Sequence, residues 1–348
     1  MSLISLEEQN THRESVANWK KIIFKYQKPS NLKALWQLIN TLGPFLSIWV
    51  LTWYTLGVSW WLTLALTVLN AGFAMRLFII FHDCGHGSFF SSQRANHILG
   101  SIIGLFFFTS YWHWRWEHAV HHSTTGHLDK RGTGDVWTLT VKEYLESTRW
   151  KRFTYRLLRN PFVLFVLAPM FLFFVLERIP SPKAPLRVAY SVYATNFLLF
   201  GMVSLGIYIF GLSEYIFIQL TLSAIVCTSG VWLFYVQHQF EETYWERGND
   251  WDYTAAALKG SSYYKLPRIL QWFTGNIGFH HIHHLSSRIP NYNLESCHKA
   301  HPMFQEVVPL TFFKSLKSIS YRLWDEQQKK LVGYRHLREL EKQERKEA

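Results

Sequence analysis

The stretch SWWLTLALTVLNAGFAMRLFIIFHDCGHGSFF, residues 59–90, joins two features with different physical roles. Residues 59–81 are almost entirely apolar, and His82 and His86 follow immediately. A helix of about 20 apolar residues suffices to cross the hydrocarbon of a bilayer. Imidazoles at the edge of such a segment are poorly suited to packing. The stretch therefore predicts a membrane span that delivers two nitrogen ligands to a membrane surface.

The composition of the whole chain agrees with a membrane protein. Of its 348 residues, 49% are hydrophobic and 17% are aromatic, and the apolar residues occur in long runs. The net charge of +12 would also suit a nucleic-acid-binding protein, but no RNA- or DNA-binding motif is present, so no nucleic-acid partner is expected. The three cysteines are too far apart for a thiolate zinc site or a disulfide framework. Residues 1–34 lack an apolar segment, so no cleaved signal peptide is expected.

Four of six apolar stretches are long enough to cross a membrane as helices, at about 1.5 Å per residue. These predicted spans are residues 35–56, 59–81, 188–211 and 215–236. The other two stretches, 97–112 and 162–177, are shorter and have basic residues on both sides. Both are predicted to lie in the membrane interface or to re-enter it.

The distribution of lysine and arginine predicts the topology. The links 57–58 and 212–214 contain neither residue, whereas the N-terminal region, residues 113–161, residues 178–187 and everything after 240 are rich in them. By the positive-inside rule, the two links lie outside and the other segments lie in the cytoplasm.

The predicted fold is all-α and integral to the membrane, with four transmembrane helices in two hairpins and a helical cytoplasmic cap. Three parts are expected along the chain: a cytoplasmic segment (1–34), a membrane domain (35–325) and a charged tail, solvated as a helix or frayed (326–348).

The spacing of the histidines predicts a metal centre. HDCGH places His82 and His86 four residues apart, and HAVHH and HHIHH place three histidines each at i, i+3 and i+4: His118, His121, His122, His280, His283 and His284. Residues three and four apart share a helix face, so each cluster is expected to aim its imidazoles at one point. One HxxHH alone would suit a single surface zinc site. Four spans, however, bring all three clusters to one membrane face, and chance does not explain that arrangement.

Eight imidazoles exceed what one ion binds, so two metal ions are predicted. Imidazole suits iron, copper, zinc and nickel, and ligand type leaves these alternatives open. His238, just past the fourth span, is interpreted as a ninth ligand rather than as an interfacial histidine. His281 lies within the third cluster, and its role stays open. The histidines without partner spacing are expected not to bind metal: His12, His97, His113, His127, His298, His301 and His336.

Asp83 lies between two of the predicted ligands. Its carboxylate is interpreted as orienting an imidazole through the ring N–H that faces away from the metal. The alternative is a carboxylate that only ends a helix. No catalytic side chain is expected beyond the metal centre itself.

These motifs together resemble a known family. The boxes HxxxH, HxxHH and HxxHH are similar to those of the membrane fatty-acid desaturase superfamily. The segments FHDCGHGSFF, HLDKRGTGDVWTLTVKEY, GVWLFYVQHQFE, SSYYKLP and GNIGFHHIHHLSSRIPNYNLE resemble those of bacterial, Bacillus-type acyl-lipid delta-5 desaturases. The resemblance covers roughly residues 30–325.

The resemblance implies two non-haem irons, O₂ as oxidant and an acyl chain of a membrane phospholipid as the substrate that receives a cis double bond. It also implies a multi-pass protein of the plasma membrane with the histidine boxes in the cytoplasm. By position, it implies iron ligation by the eight box histidines, and His238 matches an additional histidine upstream of the third box. Some relatives have an asparagine four residues before that histidine. Phe234 stands there in this chain, so their water-mediated ligand is not expected.

Electrons are expected from a separate protein such as ferredoxin or a b-type cytochrome. The chain has no HPGG-type haem motif, only an isolated His301-Pro302, and no Rossmann glycine fingerprint. Two other functions remain as alternatives. A hydroxylase or ketolase could use the same scaffold, because histidine boxes do not separate these reactions. A metal transporter would need ionisable residues inside the spans, where only Arg76 occurs.

Overall fold

The structure, a computed structural model, describes residues 19–347 and is mostly helical there. Residues 19–26 are helical. The α-helices that follow are α1 Asn31–Thr55, α2 Trp60–His86, α3 Gln93–Phe106, α4 Tyr111–Thr124, α5 Val141–Glu146, α6 Arg149–Leu158, α7 Ala168–Phe174, α8 Leu186–Phe210, α9 Leu212–His238, α10 Tyr253–Lys259, α11 Arg268–Phe273, α12 His280–Leu285, α13 Asn291–His298, α14 Pro302–Gln305, α15 Phe312–Ser315 and α16 Tyr334–Glu347. The strands are β1 Leu139–Thr140, β2 Tyr263–Lys265, β3 Pro309–Thr311, β4 Leu323–Asp325 and β5 Lys330–Val332. The prediction for residues 1–18, which include His12, lies outside the described residues.

Four long helices confirm the predicted number of spans. Helices α1, α2, α8 and α9 have 25, 27, 25 and 27 residues and are apolar enough to cross a membrane. α2 is central, since it packs against α1, α3 and α9. α1 and α8 expose large apolar side chains outward, such as Trp36 and Phe197, and this surface suits contact with lipid.

Two of the spans continue beyond their predicted ends, into the histidine motifs. α2 runs to His86 rather than to 81, and α9 runs to His238 rather than to 236. Histidine, aspartate and cysteine do not interrupt a helix, so α2 ends only at Gly87, which has a left-handed φ of 67°. Both histidines of the first box therefore lie on a rigid helix.

The outer link between α8 and α9 is shorter than predicted. Gly211 alone separates the two helices, where the sequence predicted a link over 212–214. Its φ is 89°, and an added Cβ would lie 2.5 Å from Glu214 Oε2. Glycine is favoured here because other residues are strained at this φ, whereas the close contact could be relieved by rotation of the Glu214 side chain.

The stretch predicted as interfacial at 162–177 is bent and irregular. It consists of a π-helical turn, Val163–Leu167, followed by α7 and a 3₁₀ turn, Leu176–Arg178. The unit 163–178 lies at 64° to α6, and a fifth span would exist only if this bent pair crossed as one. The other such stretch is α3, with only 14 residues. The interfacial assignment of both stretches stays a prediction.

α6 is a basic amphipathic helix that the sequence analysis did not identify. Tyr155 is buried on its inner side, whereas Trp150, Phe153 and Leu157 are exposed on the other. Arg149 and Lys151 are charged and part of the same short helix. Apolar side chains on one side of a basic helix are typical of helices that lie in the plane of a membrane surface.

The cap, formed by the segments outside the four long helices, also contains short strands, an addition to the predicted all-α fold. β4 pairs antiparallel with β5 and parallel with β1, and β2 pairs with β3. The predicted tail boundary at 326 falls inside the turn between β4 and β5, where Asp325 accepts hydrogen bonds from the backbone of Gln327 and Gln328. Leu331 and Val332 are buried, so this part of the predicted tail is not solvated, whereas residues 327–329 of the turn are exposed. The predicted helix begins later, at Tyr334.

Arg76 connects the membrane helices to the cap. It is buried within α2, and its Nε donates to Thr41 Oγ1 of α1 at 3.2 Å. Its Nη1 donates to the carbonyl of Trp272 in α11, and its guanidinium carbon lies 4.0 Å from the centroid of that tryptophan ring. The Arg76 guanidinium is therefore held by α1 on one side and by α11 on the other.

Cysteine labelling of intact cells tests the predicted topology, with the native cysteines replaced. Cysteines at Val58 and Ser213 are expected to react with an impermeant reagent from outside, because the predicted topology places both residues outside. Cysteines at Ser147 and Ser181 are expected to react only after the cells are opened. Labelling of Ser181 from outside would mean that residues 163–178 cross the membrane.

Candidate metal centre

The three histidine boxes and His238 come from four helices whose ends meet. His82 and His86 lie one turn apart at the end of α2, and His238 is the last residue of α9. The second box occupies the last turns of α4, which begins after Ser110. The third box forms the short helix α12.

The nine predicted ligands form two groups of nitrogen atoms. Within each group, the candidate ligand atoms all lie within 4.8 Å of one another. The first group is His82, His86, His118, His122 and His283, and the second group is His121, His238, His280 and His284. His122 of the first group stacks on His284 of the second with ring centroids 4.2 Å apart. The two groups are therefore direct neighbours.

The expectation that each box aims at one point was wrong for the second and third boxes. His118 and His122 belong to the first group, but His121 belongs to the second. In the third box the division is reversed, since only His283 joins the first group. The reason is the rotation of about 100° per residue around a helix axis. The first and last histidines of an HxxHH box therefore point in similar directions, and the middle histidine points in another.

The distances within the groups fit metal ligation. Nε2 of His122 lies 3.1 Å from Nε2 of His118 and 3.0 Å from Nε2 of His283. In the second group, His238 Nε2 lies 3.2 Å from His121 Nε2 and 3.0 Å from His280 Nε2. Two imidazole nitrogens bound at about 2.1 Å to one ion, at right angles, lie about 3 Å apart.

The hydrogen-bond inventory also fits metal ligation. His86 Nε2 and His284 Nε2 are buried and have no hydrogen-bond partner within residues 19–347. A buried nitrogen without a partner costs free energy, and a metal ion would supply the partner. The residues present therefore suit two ions.

The buried histidines of the two groups are in the neutral form, which is the form that binds metal ions. Burial lowers the pKa of His280, His283 and His284 well below the usual histidine value, and neighbouring imidazoles lower it further. At neutral pH these rings are uncharged and keep a lone pair for a metal.

Carboxylates and a backbone carbonyl hold three of the rings from behind. Asp83 Oδ1 lies 3.2 Å from His82 Nδ1, and its Oδ2 accepts two hydrogen bonds from Asn291, at 2.6 and 2.8 Å. This is the contact that the predicted orienting role requires. His238 Nδ1 lies 3.1 Å from the carbonyl of Gly260.

Asp135 is the site residue that the sequence analysis missed. Its Oδ1 lies 2.8 Å from His121 Nδ1, closer than Asp83 lies to His82. Asp135 is 14 residues from its partner, in an irregular loop, so no helical spacing indicates it. The only signal was its place in the segment HLDKRGTGDVW, which carries part of the family resemblance.

His281 points away from both groups. Its Nε2 lies 3.0 Å from the carbonyl of Phe304 and 3.1 Å from His298 Nδ1. Burial lowers the pKa of His281 to about 3. It therefore packs the helix of the third box against the cap.

The other histidines predicted not to bind metal also lie outside the two groups: His97, His113, His127, His298, His301 and His336. His113 stands near two carboxylates, Glu117 and Glu177. However, its Nε2 accepts a hydrogen bond from the backbone N–H of Ser181 at 3.1 Å, so Nδ1 carries the proton in the neutral ring. That proton faces Glu177 Oε2 at 3.6 Å, too far for a hydrogen bond, and a nitrogen that carries a proton has no lone pair for a metal.

A largely apolar cavity of about 580 Å³ reaches both groups. Its walls include His82 and His118 of the first group and His280 of the second. Phe234 lies between the cavity and the second group, with its ring 5.1 Å from that of His121. The cavity continues along α9 as far as Gln219, and the bent unit 163–178 closes one side.

Metal analysis tests the two groups. Alanine at a group histidine, such as His283, is expected to lower the metal content of the purified protein after anaerobic reconstitution with iron, because an ion loses a ligand. His281→Ala is the matched control on the same helix. It is expected to retain both ions while costing about 1–3 kcal/mol of stability through the unpaired Phe304 carbonyl. Equal metal loss in both variants would refute the assignment.

Asp135→Asn tests the contact behind His121. Replacing the partner of a metal-bound imidazole typically costs about 10–100-fold in metal affinity, so a drop of that size is expected for one of the two ions. Competition with a chelator measures the affinity. Glu146→Gln, at an exposed carboxylate that pairs only loosely with Lys142 at 3.9 Å, should leave it unchanged. An unchanged affinity in Asp135→Asn would argue against the role.

Comparison with known proteins identifies the family. A family model described as fatty acid desaturase matches residues 59–314. The chain is 45% identical over 320 residues to a fatty acid desaturase of Bacillus subtilis (strain 168), which covers 92% of this chain and 91% of that one. It is 27% identical over 292 residues to the sn-1 oleoyl-lipid 12-desaturase of Synechocystis, with coverages of 76% and 75%. It is 25% identical over 286 residues to the sn-1 acyl-lipid omega-3 desaturase (ferredoxin) of the same genus, with coverages of 78% and 76%. Four helices of spanning length, three histidine boxes in two groups that could hold metal ions, and these matches lead to one conclusion: the chain belongs to the fatty acid desaturase family.

Proposed function

We propose that this protein is an acyl-lipid desaturase that uses two non-haem irons and O₂ to introduce a cis double bond into an acyl chain of a membrane phospholipid. The observation that carries this proposal is the apolar cavity whose walls include histidines of both metal-binding groups. A chain in the cavity would lie beside the metal centre. The family and the names of the acyl-lipid desaturases among the relatives support the same substrate class.

The shape of the cavity suits a long hydrocarbon chain. Its residues on α9 extend from Gln219 to Gln237, which is about 27 Å along a helix. α9 is one of the spans, so the cavity follows the membrane and a chain inside stays in apolar surroundings. Phe78, Trp114 and Phe234 line the part near the histidines, where they exclude water from the reacting carbons.

The nine group histidines would hold the two irons, five in the first group and four in the second. When bound, the irons would supply the reduction of O₂ to water that is coupled to the loss of two hydrogens from neighbouring methylenes. Two electrons come from the substrate and two from a donor, and two protons from solvent complete two molecules of water. The chain contributes position: Trp114 stacks on His118 at 4.4 Å, and Asp83 and Asp135 fix the orientation of His82 and His121.

The donor and the cellular location are parts of the same proposal. One relative carries ferredoxin in its name, which supports a soluble iron–sulfur donor. The basic segments on one side of the spans support a plasma-membrane protein with its boxes and both termini in the cytoplasm.

Expression in a bacterium that lacks the activity tests the function. Lipid extraction and mass spectrometry are expected to show acyl chains that have lost two hydrogens, and fragmentation gives the position of the double bond. The His283→Ala variant provides the inactive control at equal membrane abundance. Gain of one oxygen instead would identify a hydroxylase, and unchanged lipids despite two bound irons and a working donor would refute both activities.

A further inference from the structure

One exposed loop contacts two of the three peptide segments that carry ligands of the second group. The loop comprises residues 247–253, between the end of α9 and α10, and its residues 247–250 are exposed. Tyr253 is 40% exposed, yet its hydroxyl donates to the backbone carbonyl of His284 at 2.7 Å. A single side chain therefore connects the cap surface to a residue of the metal-binding groups.

Trp251 makes a second contact of this kind. Its Nε1 donates to the carbonyl of Thr125 at 3.0 Å. The backbone N–H of Thr125 donates in turn to the carbonyl of His121 at 2.9 Å. The rings of Trp251 and Tyr253 lie 6.4 Å apart, so the two routes begin at one place on the surface.

We infer that the 247–253 loop is the docking surface for the protein electron donor, and that Tyr253 and Trp251 connect it electronically to the second group. This inference rests on the proposed function, which requires a donor. Electron transfer slows steeply with distance, and hydrogen-bonded paths couple better than gaps. Electron carriers form small, short-lived interfaces, and a seven-residue loop with two aromatic side chains suits such a contact.

The stoichiometry of the reaction gives the number of electrons that the donor must deliver at this surface. Each turnover takes two electrons from the donor, so two reduced [2Fe–2S] ferredoxins are each oxidised by one electron. With two electrons and two protons from the substrate and two protons from solvent, O₂ becomes two molecules of water. Tyr253 and Trp251 keep their protons throughout, since each acts only as a hydrogen-bonded connection.

The outer side of α4 is the alternative surface. Ser123 is exposed there and follows His122, which is half-buried. A donor bound at this side would reach the first group instead of the second. The two surfaces differ in position, so an experiment can distinguish them.

The rate of metal reduction tests the connection. Iron-loaded full-length protein in nanodiscs is mixed anaerobically with reduced ferredoxin, or with dithionite, in a stopped-flow instrument. Tyr253→Phe is expected to slow reduction by ferredoxin severalfold, and a double variant with Trp251→Phe more, while dithionite reduction and iron content stay unchanged. Tyr244→Phe is the matched control, because its hydroxyl contacts only the loop, at Asp250 and Asp252. An unchanged ferredoxin rate in the double variant, or an equal loss in the control, would overturn the connection.

Cross-linking tests the docking surface without the metals. Metal-free protein with its native cysteines replaced carries a single cysteine at Asn249 in the loop or at Ser123 on α4. A thiol-to-amine reagent is expected to couple ferredoxin to the cysteine at 249 and much less to that at 123. The opposite pattern, or equal coupling, would overturn the assignment. If desaturated lipids form while both tests fail, only this inference falls; if no desaturated lipid forms, the proposed function itself is wrong.

Discussion

The angular spacing of residues on an α-helix is the constraint on which the metal centre depends. Residues four apart differ by about 40° around the axis, and residues three apart by about 60° in the opposite sense. In an HxxHH box, the outer histidines therefore point one way and the middle one points elsewhere. α4 gives two ligands to the first group and one to the second, and α12 does the reverse. Neither helix completes a group alone, so ions held by the two groups would lie side by side between them.

This constraint determines where the other helices end. α2 and α9 both continue beyond their apolar stretches, and this brings His82, His86 and His238 together. The rings then need partners behind them, because an imidazole that is free to rotate would not hold its direction. Asp135, Asp83 and the carbonyl of Gly260 provide those partners from three separate segments. The cap is thus organised around the outward-facing nitrogens of the metal-binding rings.

The parts of the structure that sequence predicted are those with a local pattern. Apolar runs of spanning length gave the four membrane helices, and spacings of three and four gave the nine histidines that the structure brings together. Contacts between distant segments carry no such pattern. Asp135 reaches His121 from an irregular loop, and His281 turns to Phe304 although it stands among ligands. The strand Lys330–Val332 has only three residues and is flanked by charged residues in the sequence, so its pattern does not differ from that of a solvated tail.

The buried Arg76 has a consequence for biogenesis. The arginine enters the membrane with α2 during synthesis, whereas Trp272, which accepts its hydrogen bond, follows almost two hundred residues later along the chain. An arginine at the centre of an inserted helix costs about 2.5–3.5 kcal/mol on insertion scales, and Arg76, near the cap end of the predicted span 59–81, costs less than that. Until the ribosome has released α11, only Thr41 of α1 offers a partner among the contacts that the arginine finally makes. The first hairpin is therefore expected to keep this charge only partly paired until the C-terminal part of the chain packs against it.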